Sequence, residues 1–208
     1  TADKERPCTS FAVTSAKPSE GKSLTAANIA ISYAMLGKKV LLIDADMRKP
    51  TQRRLWRVEK PTGLCDFLAK ISKLELDKVK DLPLWIVCTG TIPPNPSELL
   101  SSERMKHFVE ESAKVYDYII IDTPPINTVA DAQIVSTYVD GVVLVVKSGD
   151  TTEDELNEAI DAVRRAGGNL CGTVLNDLNM KSVKYAYKYK YGGKYGYKYS
   201  YSESYEAR

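Results

Sequence analysis

The chain has 208 residues, of which 43% are hydrophobic and 27% are charged, and its formal net charge is +2. This composition fits one compact domain with or without a tail, and it excludes collagen-like, wholly disordered and membrane-embedded chains. The longest apolar runs, such as 142–146, are far shorter than the roughly 20 residues that cross a bilayer, so we predict no membrane span.

The amino-terminal residues and the cysteines predict a cytoplasmic protein. Residues 1–6 are mostly polar or charged, and no apolar signal-peptide core follows them. The four cysteines, Cys8, Cys65, Cys88 and Cys171, are widely spaced and form no CxxC pair. We therefore expect free thiols in a reducing compartment and no structural zinc site.

Short apolar runs alternate with amphipathic stretches along the chain. The runs are rich in Val and Ile and apolar at consecutive positions, which is typical of strands covered on both faces. The predicted strands are 10–14, 40–44, 84–88, 118–122, 142–147 and 170–175, and the predicted helices are 22–36, 96–114 and 152–166. Thr152 with Glu155 has the pattern of a capping box, and Asn95 with Glu98 marks another helix start. The alternation predicts an α/β fold, a mostly parallel sheet with helices on both faces.

In such folds ligands bind at the carboxyl ends of the strands. After the first predicted strand, residues 16–23 read AKPSEGKS and open a helix. They match the P-loop pattern GxxxxGK followed by Ser or Thr, except that Ala16 replaces the first Gly. Backbone N–H groups of such a loop point at phosphate oxygens, Lys22 would neutralise the β and γ phosphates, and Ser23 would bind Mg²⁺. Taken alone, the segment also fits a chance match or a simple helix-start turn.

The second predicted strand ends in two carboxylates, Asp44 and Asp46. Acidic side chains two residues apart on an extended strand point the same way and repel each other unless a cation lies nearby. Mg²⁺ prefers such hard oxygen ligands, often through water. A solvated helix cap is the alternative interpretation of this pair.

The fourth predicted strand, YIIID, ends at Asp122 and is followed by TPP. An apolar strand that ends in Asp has the form of a Walker B segment, so Asp122 would complete the metal site or bind its ligands. The three segments occur in the order that a P-loop enzyme requires, each directly after a strand. Their combination predicts a P-loop NTPase-like fold.

Residues 181–208 differ from the rest of the chain in composition. They carry a formal charge of +5, which leaves −3 for the remainder. Lys, Gly and Ser separate nine tyrosines there: Tyr185, Tyr187, Tyr189, Tyr191, Tyr195, Tyr197, Tyr199, Tyr201 and Tyr205. Almost no aliphatic side chains are present to offset the entropy of ordering, so we predict a domain over 1–180 and a flexible low-complexity tail over 181–208. A solvated linker, an aggregation-prone tract and a single-stranded nucleic-acid binder are alternatives for the tail, and the upstream P-loop disfavours the last.

These motifs, AKPSEGKS, LLIDADMR and IIIDTPP, followed by a tyrosine cluster, resemble the catalytic domain of bacterial tyrosine kinases. The resemblance covers roughly residues 10–208 and includes the segments 61–64, 93–100 and 172–176. It implies ATP-dependent phosphorylation of tyrosine, first in the kinase's own tail, where the nine tyrosines would be the modified residues. It also implies that Lys22, Asp44, Asp46 and Asp122 are catalytic.

Further site assignments follow from the same resemblance. ATP would be bound by Ser19, Glu20, Gly21, Lys22, Ser23, Leu24 and Asn176, and Mg²⁺ by Ser23, Asp44 and Asp122. Asp46 would lie close to the incoming phenol, and Asn176 resembles a residue that contacts adenine in related ATPases. Arg48 resembles a residue used at subunit contacts.

The resemblance implies partners as well. They are a transmembrane activator of the polysaccharide co-polymerase type, a cognate tyrosine phosphatase and further copies of the kinase in a ring, all at the inner face of the membrane. The output would be control of capsule or exopolysaccharide production, with no nucleic-acid partner. Family members carry an ExxRxxR segment before the first strand that docks into the neighbouring subunit, and residues 1–8 contain no counterpart. Either the sequence begins after that segment or this protein assembles differently.

Two other functions fit parts of the sequence. One is a MinD-like or ParA-like ATPase that transfers phosphate only to water, for which Lys17 would be the signature lysine that reaches across a dimer. A solvent-exposed loop lysine is the other interpretation of Lys17. The second function is a nucleotide-sensing scaffold whose tail recruits partners. Mass added to the chain by ATP would separate the kinase from both.

Overall fold

The computed structural model describes residues 9–178 and contains one seven-stranded sheet. The strands are β1 Ser10–Ser15, β2 Val40–Asp44, β3 Asp77–Lys78, β4 Leu84–Val87, β5 Tyr118–Asp122, β6 Gly141–Lys147 and β7 Leu170–Asn176. Their order across the sheet is β3-β4-β2-β5-β1-β6-β7. All neighbouring strands pair in parallel except β3, which lies antiparallel to β4 at one edge. The prediction of a mostly parallel sheet is confirmed.

Helices cover both faces of this sheet. They are α1 Lys22–Met35, α2 Gln52–Trp56, α3 Leu64–Leu68, α4 Pro96–Ser101, α5 Glu103–Ser112, α6 Asp131–Ser136 and α7 Glu153–Arg165. Successive residues of a strand point to opposite faces, so Leu41 and Leu42 belong to different cores. One core includes the alanines of α1, whose small side chains let the helix lie close to the strands, and the other includes residues of α3, α5, α6 and α7.

The predicted strands agree with the observed ones to within one residue, but the predicted helix over 96–114 is wrong. It is two helices, α4 and α5, because Ser102 between them has extended backbone angles (φ −64°, ψ 145°). The Ser102 hydroxyl accepts a hydrogen bond from the backbone N–H of Met105 at 3.2 Å, which caps α5. The helix start at Pro96 is as predicted, although the Asn95 side chain makes no capping bond to the backbone.

Two other features departed from the sequence pattern. β7 is not covered on both faces, since Cys171, Gly172 and Thr173 are exposed. Among the described residues this strand lies at an edge of the sheet and pairs only with β6. The short helices α2, α3 and α6 have five or six residues, too few to show a helical period. The capping box of Thr152 and Glu155 is present at the start of α7.

Within the described part of the chain, Cys65 and Cys88 are buried free thiols and Cys171 is an exposed one. Burial raises the pKa of both Cys65 and Cys88 to about 12, so these thiols are protonated and unreactive. No helix in residues 9–178 combines the length and hydropathy that crossing a bilayer requires. The predicted tail, its nine tyrosines and Cys8 lie outside the described residues.

Candidate functional site

The three polar motifs meet at one edge of the sheet. β2, β5 and β1 are neighbours, and Asp44 at the end of β2 lies beside Asp122 at the end of β5. The loop between β1 and α1 lies next to them, because Val13 of β1 pairs with Asp122 in the register of the sheet. Parallel strands thus bring together residues that are far apart in the sequence.

The loop over 16–21 has a backbone shape that favours glycine at position 21. Ser19 (φ 67°) and Gly21 (φ 88°) are in the left-handed region, and α1 begins at the next residue, Lys22. A Cβ at Gly21 would lie 2.0 Å from the side-chain nitrogen of Asn176, so no larger residue fits without displacing that amide. The loop ends at a helix amino terminus, where backbone N–H groups favour phosphate.

Lys22 is buried among carboxylates. Its Nζ donates to Asp46 Oδ2 at 2.7 Å and to the Ser23 hydroxyl at 3.1 Å, and lies 3.5 Å from Asp122 Oδ1. Burial lowers the pKa of Lys22, but the charges of Asp122 and Asp46 outweigh burial and raise the pKa above its usual value. The side chain therefore stays an ammonium ion that is held by Asp46 and Asp122.

Asp44 is held by backbone donors rather than by Lys22. Its Oδ2 accepts from the N–H groups of Thr51 at 3.1 Å and Gln52 at 2.9 Å, and its Oδ1 accepts from the Asp46 N–H at 3.3 Å. Burial and the neighbouring charge of Asp122 raise the pKa of Asp44 to about 8. Burial also raises the pKa of Asp122, against the attraction of Lys22.

The charges of this cluster fit a divalent cation. Asp44, Asp46 and Asp122 are all buried beside a single buried ammonium, that of Lys22, which leaves an excess of two negative charges when all are ionised. No group of three or more His, Cys, Asp or Glu side chains in residues 9–178 is arranged to hold a metal unaided. Mg²⁺ commonly takes one or two carboxylates together with substrate phosphates and water. Ser23, Asp44 and Asp122 fit that incomplete set.

Gln52 is a site residue that the sequence did not indicate. Its buried amide donates to the Ser23 carbonyl and to Asp122 Oδ2, both at 2.9 Å, and its oxygen accepts from Trp56 at 3.0 Å. Gln52 therefore links the start of α1 to Asp122 at the end of β5. Its main partners are 29 and 70 residues away along the chain, so no local motif marks it.

Arg48 forms a two-point ion pair with the fully buried carboxylate of Asp131. Its Nε and Nη2 donate to the two carboxylate oxygens at 2.8 and 3.1 Å, and the Ser97 hydroxyl donates to the same carboxylate at 2.6 Å. The sequence did not single out Asp131 or Ser97. Arg48 is thus fixed by its own chain at the rim of the site, and its expected role at a subunit contact stays a prediction.

The remaining nucleotide-binding candidates are spread along the loop. The Asn176 side chain donates to the Glu20 carbonyl at 3.0 Å, which places the end of β7 against the loop. The Glu20 carboxylate accepts from the Lys17 N–H at 2.9 Å and from the Thr151 hydroxyl, so only the Glu20 backbone is left to face a phosphate. Ser19 is exposed, and Leu24 is exposed at the mouth of the site.

Lys17 is bound within its own chain. Its Nζ lies 3.1 Å from Glu155 Oε2 and 3.5 Å from Asp150 Oδ2, and donates to the Asp150 carbonyl at 2.9 Å. These partners are at the start of α7 and in the turn before it. The geometry favours the interpretation of Lys17 as a surface loop lysine.

Comparison with known proteins identifies the relatives of this chain. A family described as an AAA domain matches residues 9–169. The tyrosine-protein kinase YwqD of Bacillus subtilis is 44% identical over 189 residues, which cover 89% of this chain and 80% of that protein. Among solved structures, the kinase domain of the Escherichia coli tyrosine kinase ETK is 33% identical with a TM-score of 0.79, over 82% of this chain and 68% of that one.

A more distant structure shares the fold. The septum site-determining protein MinD of Pyrococcus horikoshii, solved with Mg-ADP, is 20% identical with a TM-score of 0.71, over 83% of this chain and 71% of that one. At this identity the likeness concerns the fold alone. It agrees with the P-loop architecture and does not transfer the activity of that protein.

Proposed function

This chain belongs to the bacterial tyrosine-protein kinase family, and from that premise we propose that it transfers the γ-phosphoryl group of ATP to tyrosines of its own segment 181–208. The observation that supports the proposal most directly is the buried contact of 2.7 Å between Lys22 and Asp46 beside the P-loop. It places the cation that would neutralise phosphate charge within hydrogen-bond distance of the carboxylate that would accept the proton of the phenol. Hydrolysis alone would not need nine tyrosines at the end of the chain.

The residues divide the work of phosphoryl transfer, which depends on positioning and charge stabilisation. Backbone N–H groups of the loop and Lys22 would hold the phosphates. Ser23, Asp44 and Asp122 would hold Mg²⁺, directly or through water. When bound, Mg²⁺ would supply charge neutralisation at the β and γ phosphates. Gln52 would hold Asp122 and the start of α1 in fixed positions relative to each other.

Asp46 is the candidate for orienting the acceptor. A free tyrosine has a pKa near 10, so at neutral pH it arrives as a phenol that must lose its proton. The phenolic oxygen bonds to the γ-phosphorus, the bond from that phosphorus to the β–γ bridging oxygen breaks, ADP leaves, and the proton passes to the Asp46 carboxylate. We expect Asp46→Asn to bind ATP and to lose most tail phosphorylation. Full phosphorylation by this variant would remove Asp46 from the mechanism.

The tail could act between copies of the chain. The low-complexity composition of 181–208 predicts a flexible segment, and a flexible chain of some 25 residues spans roughly 25 to 30 Å, enough to reach a neighbouring site. Each phosphate adds about −1.5 to −2 charges, so nine would change the tail by roughly −14 to −18. We expect this charge to weaken self-association into a ring, and equal oligomer mass by light scattering before and after phosphorylation would contradict that expectation.

The cellular setting is proposed from the sequence resemblance. The kinase would be cytoplasmic and recruited to the inner face of the membrane by a transmembrane activator of the polysaccharide co-polymerase type. A cognate tyrosine phosphatase would reset the tail. The cycle of phosphorylation would control capsule or exopolysaccharide production, without a nucleic-acid partner.

Intact-mass spectrometry after incubation with ATP and Mg²⁺ tests the proposal, with Lys22→Met as the matched control. We expect serial additions of about 80 Da that map to peptides after Lys184 and that the control lacks. ATP hydrolysis without added mass would favour a partitioning-type ATPase. Tight nucleotide binding with neither turnover nor added mass would favour a nucleotide-sensing scaffold.

A further inference from the structure

Different parts of the sheet border the nucleotide loop on its two sides. The loop follows β1, with β6 and β7 on one side and β5 and β2 on the other. Asn176 at the end of β7 contacts Glu20, whereas Asp46 beyond β2 contacts Lys22. Because Lys22 would neutralise the β and γ phosphates, we expect the γ-phosphate end of a nucleotide to border the segment that follows β2 and a tyrosine acceptor to approach from there.

A cleft of about 400 Å³ opens on that side, and one part of its wall is apolar. Leu24 and Leu55 line it with 54% and 43% of their surfaces exposed, and Pro124, Pro125 and Val129 also line it. Exposed leucines beside a buried charge cluster are a suitable surface for an aromatic ring. The cleft can accept a tyrosine side chain whose hydroxyl points toward Asp46.

The rest of the rim is basic. The segment 47–58 contains five basic residues and no acidic one. Two of them are already engaged, since Arg48 pairs with Asp131 and Arg53 donates to the carbonyls of Val58 and Glu59. Lys49 and Arg54 line the cleft, and neither forms an ion pair with any carboxylate of residues 9–178. Their charge is available to a bound substrate.

The tyrosines of the tail differ in their neighbours. Residues 181–199 contain six lysines and no acidic residue, so Tyr185 to Tyr199 have basic flanks. Tyr201 and Tyr205 lie next to Glu203 and Glu206. A basic rim attracts the second group and repels the first.

We propose that Lys49 and Arg54 make this cleft selective for tyrosines flanked by carboxylates, so that Tyr201 and Tyr205 are phosphorylated before the lysine-flanked tyrosines. The inference rests on the proposed function, because it concerns the choice of acceptor in the same phosphoryl transfer. Each phosphate adds negative charge beside the next tyrosine. Modification then proceeds from the carboxyl end toward Tyr185.

Time-resolved, site-resolved mass spectrometry of the full chain with ATP and Mg²⁺ tests the order. The readout is the ratio of early phosphate on Tyr201 and Tyr205 to early phosphate on Tyr185 to Tyr191. A ratio between tyrosines of the same reaction does not change if a variant binds ATP less tightly. The variants are Arg54→Gln and the double change Glu203→Gln with Glu206→Gln. Arg57→Gln is the control, because it removes the same charge from an exposed residue that does not line the cleft.

We expect the ratio to favour Tyr201 and Tyr205 in the unchanged chain and in Arg57→Gln. It should fall about two- to fivefold in Arg54→Gln and at least as much in the double variant, the range expected for exposed charge pairs. Salt near 1 M, where the screening length is about 3 Å, should abolish the preference. Arg54→Glu should lower the ratio further than Arg54→Gln does, because a carboxylate at the rim repels Glu203 and Glu206 and attracts the lysine-flanked tyrosines.

Other outcomes overturn the inference in distinguishable ways. Phosphorylation that starts at the lysine-flanked tyrosines, or shows no order, would refute charge selection while leaving the tail kinase intact. An equal fall in Arg57→Gln would refute the role of the cleft. Absence of phosphate on every tail tyrosine would refute the proposed function and this inference with it.

Discussion

Two lysines of the nucleotide loop, five positions apart, form similar numbers of ion pairs in very different surroundings. The side chain of Lys22 is 10% exposed, and its partners Asp46 and Asp122 are 4% and 0% exposed. Lys17 is 29% exposed, and its partners Asp150 and Glu155 are 52% and 36% exposed. Water and salt screen the second set and hardly reach the first. Burial, rather than the number of pairs, decides which lysine the site depends on.

Replacing Lys22 should have the largest effect. Lys22→Met leaves three buried carboxylates without a cation, so we expect a loss of about 3–5 kcal/mol in the free energy of unfolding and no measurable tail phosphorylation. Urea denaturation above pH 8 measures the first, because the raised pKa of Asp44 lets this carboxyl take up a proton and relieve the repulsion at lower pH. A stability equal to that of the parent would mean that water already screens the cluster.

Gly21 tests whether the placement of Lys22 depends on the shape of the loop. In Gly21→Ala the new Cβ would lie 2.0 Å from the Asn176 amide, so that side chain must leave its bond to the Glu20 carbonyl. We expect ATP to bind about tenfold more weakly in a calorimetric titration.

Gly37→Ala is the matched control for this change. Gly37 also has a positive φ, 79°, but no atom lies within 4 Å of its added Cβ. The control carries the backbone strain without the steric conflict. A similar loss of ATP affinity in both variants would mean that general destabilisation of the fold, and not the conflict with Asn176, weakens binding.

Asp44 provides a second test of the buried charge cluster, because its raised pKa makes the stability of the fold depend on pH. In the unfolded chain this carboxyl is ionised above about pH 4, whereas in the fold it keeps its proton up to about pH 8. The folded state binds more protons in that window, so without metal the stability falls as pH rises through it.

Asp44→Asn should remove that part of the pH dependence. Without metal and above pH 8, we expect the variant to melt at a temperature a few degrees higher than the parent, and near pH 4 the difference should vanish. Adding Mg²⁺ with a nucleotide should stabilise the parent more than the variant. Thermal melts across the pH range measure both effects, and a difference that is independent of pH would contradict the raised pKa.

The sequence predicted six of the seven strands and the polar edge of the sheet because both depend on local patterns. Consecutive apolar residues that end in Asp44 or Asp122 mark buried parallel strands, and strand order brings their ends together. Ser102 escaped prediction because a serine before Glu103 is compatible both with a continuous helix and with the start of a new one, and in the structure it caps α5.

The supporting contacts of the site were not predictable for a different reason. Gln52 contacts Asp122 across 70 residues, and Arg48 contacts Asp131 across 83. Such pairs depend on how the chain returns to the sheet, and a single amino-acid sequence carries no signal for them. The same holds for the basic cleft, where the free charge of Arg54 is evident only once the partners of Arg48 and Arg53 are known.

Replacing Lys17 should have the smallest effect, and for that reason it separates two kinds of enzyme. In a kinase whose loop lysine serves only surface ion pairs, Lys17→Met should change tail phosphorylation by no more than about twofold. Glu155→Gln is the companion variant, because it removes the nearer of the two carboxylates that pair with Lys17, while an amide oxygen can still cap α7. If Lys17 instead reached into a neighbouring copy, weakening its contacts within the chain would promote dimerisation and deleting it would abolish nucleotide hydrolysis. Sedimentation measures dimerisation and phosphate release measures hydrolysis in the two variants. Both effects together would show that Lys17 reaches into a neighbouring copy. Two solvent-screened contacts within one chain would produce neither.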